Sequence, residues 1–66
     1  MHIIINGKPE SVEDRGTIAE LLAQHSLSPD AVVVELNETL IQTDDYAHTC
    51  LHEGDRLEIV RFVGGG

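Results

Sequence analysis

The residues with the most distinctive chemistry stand where Phe62-Val63 leads into Gly64, Gly65 and Gly66. A glycine run has no Cβ atoms and adopts backbone conformations closed to other residues, so it can thread into a channel too narrow for any side chain. What it would deliver there is an α-carboxylate. A carboxylate is a poor electrophile until one oxygen becomes a good leaving group, and adenylation by a partner enzyme is the usual biological route to that state. Gly66 is therefore the candidate reacting residue, Gly64 and Gly65 are its access, and the chain reads as a substrate more than a catalyst.

Other residue types with chemical potential are weaker candidates. His48, Cys50 and His52 alternate and would share one side of a strand, as metal ligands do, yet no fourth ligand stands at a recognised zinc spacing. Solvated loop histidines and a small, partly buried thiol account for them better, so no metal site is expected. No Lys or Arg flanks Cys50 to activate it as a redox or persulfide group. Asp44-Asp45 and the Glu53 to Asp55 pair read either as a docking patch for a basic partner or, slightly better, as solvated surface. Neither pair has the two contrasting environments that acid and base roles need.

A chain of 66 residues supports one small domain over 1-66. By surface-to-volume scaling it buries only about 60% of the surface its unfolded form exposes. That leaves little room for a deep catalytic cleft. Four Lys and Arg against twelve Asp and Glu give a net charge of -8, which disfavours nucleic acid and anionic membranes as partners and favours a basic protein surface. With Cys50 as the only cysteine, no internal disulfide forms and a reducing cytoplasm is the expected compartment. The opening Met1-His2-Ile3-Ile4-Ile5 is too short and lacks the basic lead of a signal peptide, and no apolar run reaches membrane-spanning length.

The elements that must position the tail follow from the pattern. Ile3-Ile4-Ile5 followed by Asn6-Gly7 predicts a β-hairpin, because both central positions of a type I′ turn need positive φ. Its second strand, near Lys8 to Val12, contains Pro9, which lacks an amide donor and suits a sheet edge. Thr17 with Glu20 three residues on is a capping box, and Ile18, Leu21, Leu22 and His25 recur at helical spacing, so a helix is expected from Ile18 to His25, ended by Ser28-Pro29. Ala31 to Leu36 is rich in β-branched residues and bounded by the turn-prone Asn37-Glu38, after which Thr39-Leu40-Ile41 pairs back. Gln42 to Gly54 has no sustained period and reads mostly as loop, with one helical turn near Asp44-Asp45-Tyr46.

Arg56 to Val63 is expected as the last strand. Alternation puts Leu57 and Ile59 on one face and Glu58, Val60 and Phe62 on the other. If the first pair meets the helix, then Val60, Phe62 and the adjoining Val63 offer an apolar contact for a partner close to the tail. A bulge would instead turn Val60 and Phe62 into the core.

Hairpin, helix, strand pair, loop and final strand compose an α+β fold: a mixed four- to five-stranded sheet packed on one helix, the ubiquitin-like β-grasp arrangement. In that arrangement the first and last strands lie side by side at the sheet centre. With this order in place, the chain resembles the sulfur carrier protein family of thiamine synthesis, ThiS. The resemblance is carried by the opening strand with Asn6-Gly7, by Thr17-Ile18-Ala19-Glu20-Leu21-Leu22, by Val32-Val33-Val34-Glu35-Leu36-Asn37, by Gly54-Asp55, and by Ile59-Val60 with Val63-Gly64-Gly65-Gly66.

The resemblance implies a definite chemistry. An E1-like adenylating enzyme would use ATP and magnesium to place AMP on the Gly66 carboxylate, and a sulfur-transfer protein of the cysteine desulfurase type would supply persulfide sulfur to make a thiocarboxylate. Thiazole synthase would then draw that sulfur into the thiazole phosphate of thiamine. The carrier itself would bind no cofactor. The family commonly carries a basic residue followed three positions later by tryptophan after the fourth strand, where this chain has Thr43 and Tyr46. That difference bears on partner docking, not on the tail chemistry. The small subunit of molybdopterin synthase, a ubiquitin-like protein modifier and a ligand-binding β-grasp module remain open as alternatives.

Overall fold

A computed structural model describes residues 1–13 and 16–62. Val63 and the glycines Gly64, Gly65 and Gly66 lie outside the described residues, as do Asp14 and Arg15.

Strands β1 (His2–Ile5) and β2 (Lys8–Ser11) form the expected hairpin, with Ile5 opposite Lys8. Asn6 and Gly7 take φ of 51° and 83°, the left-handed pair that this tight turn demands. Helix α1 (Ile18–Gln24) starts at Thr17, whose backbone N–H donates to Glu20 Oε1 at 2.9 Å while Glu20 N–H donates to Thr17 Oγ1 at 3.2 Å. The capping box read from the sequence is thus formed in full.

The end of α1 uses a device that the sequence pattern did not suggest. Ser26 enters the left-handed region at φ 58°, Ser26 N–H donates to Ala23 O at 3.1 Å, and Leu27 N–H donates to Leu22 O at 2.8 Å. This is a Schellman closure with serine where glycine is usual, and Leu27 packs back on the core beside it. A 3-10 turn over Pro29–Ala31 follows and leads into β3 (Val32–Leu36), one residue later than Ala31. Strand β4 (Thr39–Ile41) returns through Asn37 and Glu38, at φ 50° and 71°.

The segment from Gln42 to Gly54 is more regular than a loop with one turn. A 3-10 helix spans Thr43–His48, and Tyr46 on it is only 2% exposed. The buried ring anchors a stretch that shows no apolar period of its own. Cys50 then pairs with Thr17 in an isolated bridge and is exposed, so the expectation of a partly buried thiol is corrected: Leu51, its neighbour, takes the inward position.

Strand β5 covers Arg56–Arg61 and Phe62 N–H beyond it still donates to Ala31 O at 2.8 Å, while the last residue of the expected run, Val63, lies outside the described residues. The sheet order is β2-β1-β5-β3-β4, with β1 and β5 parallel and the other neighbours antiparallel. Pro9 sits on an edge strand, as its missing donor requires. One face carries α1 and the Tyr46 segment over Ile3, Ile5, Val32, Val34 and Leu57, all buried; Ile18, Leu21, Leu22 and Leu51 complete that core.

Candidate tail exit and docking face

Strand β5 is the element that precedes the candidate tail in the chain. It lies at the sheet centre between β1 and β3, and its alternation divides it cleanly: Leu57 is 1% exposed against the helix, whereas Val60 and Phe62 are 59% and 56% exposed on the opposite face. The bulge that would have turned them inward is absent from this register, since Val33 pairs with Val60 and Val32 with Arg61 without a skipped residue.

Side chains in the two tight turns fasten this strand. β1 ends at Ile5, but Ile59 N–H donates to Asn6 Oδ1 at 2.8 Å and Asn6 Nδ2 donates to Ile59 O at 3.1 Å. The carboxamide thereby replaces the next residue of a parallel strand and satisfies both backbone groups of Ile59. On the β3 side, Arg56 N–H donates to Asn37 Oδ1 at 3.0 Å, and Asn37 Nδ2 donates to Asp55 Oδ1 at 3.0 Å. Both asparagines were legible only as turn formers; the signal for the second role is their amide side chain, which mimics a peptide unit.

The face away from α1 is the candidate docking surface. Across it, Leu40 on β4, Glu35 on β3 and Glu58 on β5 are register neighbours, and Val33 with Val60 forms the next pair toward Phe62. Leu40 is 55% exposed, and Ile4 on β1 adds a fourth exposed apolar group to this face. Val60 and Phe62 are therefore brought together with Leu40 and Val33, which sequence reading did not single out because strand pairing joins distant segments.

The secondary candidates resolve differently. Glu53 and Asp55 serve the fold: Glu53 Oε1 accepts from His2 N–H at 3.0 Å, and Asp55 Oδ2 accepts from His52 N–H at 2.7 Å. Asp44 and Asp45 are exposed in the first turn of the 3-10 helix. His48, Cys50 and His52 are all exposed, and among the described residues no group of three or more His, Cys, Asp or Glu is disposed to hold a metal ion. No helix among the described residues is long and apolar enough to cross a membrane.

A single helix gripped by a mixed sheet, with parallel first and last strands at its centre and an uncovered apolar face beside the exit of the last strand, defines a ubiquitin-like β-grasp protein. Comparison with known proteins narrows this further. The model of the ThiS family matches residues 3–66. The chain is 43% identical over 63 residues to the sulfur carrier protein ThiS of Bacillus subtilis, covering 94% of this chain and 96% of that one. It is 36% identical over 66 residues to a thiazole synthase of Magnetococcus marinus, of which it spans 20% of the length. The crystal structure of the thiamine biosynthesis protein ThiS of Geobacter metallireducens superimposes with a TM-score of 0.85 at 32% identity, with both chains fully covered. The chain belongs to the ThiS family.

Proposed function

We propose that this ThiS-family chain is a sulfur carrier for thiazole formation in thiamine biosynthesis, loaded as a thiocarboxylate on Gly66. The observation that carries the reading is the geometry of β5. A central strand presents Val60 and Phe62 outward, and the glycine run follows within a few residues in the chain, so a partner gripping that face has the tail within reach. The near-complete overlap with the Bacillus sulfur carrier supports it.

In this reading the chain is a co-substrate and its partners catalyse. The Gly66 carboxylate attacks the α-phosphate of ATP on an E1-like enzyme with magnesium, releasing pyrophosphate and leaving an acyl-adenylate. The outer sulfur of a persulfide on a cysteine desulfurase-type partner attacks the acyl carbon and displaces AMP to give an acyl disulfide. A second thiol then attacks the donor's sulfur, releasing the thiocarboxylate with sulfur in place of one carboxylate oxygen and leaving the donor and that thiol joined as a disulfide. The chain's own residues contribute position: Asn6 and Asn37 hold β5 in register, Val60, Phe62 and Val63 make the partner contact, and Gly64 and Gly65 pass through the channel without side chains. Thiazole synthase is the acceptor of that sulfur. Relatives named thiazole synthase that contain a segment like this chain within a longer polypeptide support a shared task.

A reconstitution tests the pathway. The chain is combined with the activating enzyme, ATP, magnesium, a persulfide donor, a thiol reductant, thiazole synthase and its sugar-phosphate and imine substrates. Thiazole phosphate should form in proportion to the chain supplied and fall to background when Gly66 is deleted. Full product from the deleted chain contradicts the proposal.

A further inference from the structure

The open face of the sheet contains a contact that works against folding. Glu35 on β3 and Glu58 on β5 are register partners, so both side chains leave the sheet on the same face, and both are exposed. Like charges placed directly opposite on neighbouring strands destabilise a sheet. Among the described residues neither carboxylate makes an ion pair or a hydrogen bond. The net charge of -8 adds to the repulsion.

The surroundings make this pair more than a solvated cluster. Leu40 flanks Glu35 on β4, Val33 and Val60 form the adjoining pair, and Phe62 continues the line along β5. Leu40, Val60 and Phe62 are each more than half exposed, at 55%, 59% and 56%. Arg56, two residues before Glu58 on β5, shares this face but makes no ion pair with either carboxylate, so an occupant that covers the apolar groups can also bring positive charge between two carboxylates whose Cβ atoms stand roughly 5 Å apart. A guanidinium fits that demand better than an ammonium. Its planar fork carries several donors that can serve two carboxylates at once, and it is weakly hydrated, so burying it among apolar side chains costs less.

We propose that this face docks the activating enzyme through an arginine of that enzyme bridging Glu35 and Glu58, with apolar side chains of the enzyme seated on Leu40, Val60 and Phe62. The inference rests on the carrier reading above, because the enzyme that acts on Gly66 must grip the domain from which the tail emerges. The face is continuous along β5 to Phe62, and an acidic chain selects a basic counterpart. The glutamate pair thereby acts as a specificity device: it lowers the stability of the unbound carrier and is neutralised on docking.

The test uses the full chain and the cognate activating enzyme, with ATP–pyrophosphate exchange followed against carrier concentration. E35Q/E58Q keeps side-chain shape and removes both charges. It should raise the KM for carrier about tenfold with kcat within about twofold, while raising the midpoint of thermal unfolding by roughly 2–4 °C. Weaker docking together with higher stability separates docking from folding, since a merely structural role weakens docking and lowers the melting midpoint together. An unchanged KM, or a fall in the melting midpoint accompanying the KM rise, overturns the inference while wild-type exchange leaves the carrier reading standing. Wild-type chain that supports no exchange at all overturns both.

Discussion

Leu57 and Val60 stand three residues apart on one strand and meet opposite environments. Leu57 is closed between the sheet and α1, whereas Val60 looks out from the uncovered face, more than half exposed. The covered face accounts for the fold: the buried side chains of all but the edge strands pack there with α1, the Tyr46 segment and Leu51. The open face carries apolar and like-charged groups that a solitary domain would not choose. Among the described residues no second layer covers that face, which leaves it open to a partner. One strand therefore borders both faces, and its two-residue period keeps them apart.

The largest effect should come from the covered face. Leu57→Ala removes a fully buried side chain and is expected to cost about 2–5 kcal/mol. A domain of this length holds only roughly 3–10 kcal/mol in total, so chemical denaturation should find much of the variant unfolded. A loss below about 1 kcal/mol would mean that Leu57 is not the keystone between β5 and α1.

The matching change on the open face should spare stability and damage docking. Val60→Thr combined with Phe62→Ala is expected to stay within about 0.5 kcal/mol of the parent in unfolding, yet to raise the KM for carrier in ATP–pyrophosphate exchange about tenfold. If unfolding stability falls as far as in Leu57→Ala, the division between the two faces fails.

Asn6 sits between these extremes, since it fastens the strand that both faces share. Asn6→Gly keeps the positive φ of the turn but loses two hydrogen bonds to Ile59, with an expected cost of about 1–2 kcal/mol. Amide exchange should accelerate most at Ile59. Equal acceleration throughout β5 would show that the turn, not the carboxamide, holds the strand. The smallest effect is expected at Glu38, which carries φ of 71° with a side chain. Relief of left-handed strain in Glu38→Gly outweighs the added freedom of the unfolded chain by about 0.5 kcal/mol, read as a small rise in the unfolding midpoint. A fall would show that the glutamate side chain contributes more than its backbone costs.

Local patterns made much of this architecture legible. Asn6-Gly7 announced the first turn, Thr17 and Glu20 the helix start, Pro9 an edge strand, and alternation in β5 separated Leu57 and Ile59 from Val60 and Phe62. Features set by pairing between distant segments were not legible. Nothing along the chain says that Glu35 faces Glu58, that Leu40 flanks them, or that the Asn6 carboxamide reaches Ile59. The Schellman closure was missed because serine occupies a position where glycine is the usual sign. The 3-10 segment was underestimated because its one anchor, Tyr46, leaves no period to detect, and Cys50 was placed half inside because the bridge to Thr17 that turns it outward is likewise non-local.

The most direct test of the account is the intact mass of the wild-type chain after incubation with the activating enzyme, ATP, magnesium, a persulfide donor and a thiol reductant, followed by fragmentation of the product. The account predicts one oxygen replaced by one sulfur, located at Gly66 and absent when ATP is withheld. A chain of unchanged mass, or sulfur located on Cys50 instead, would contradict it.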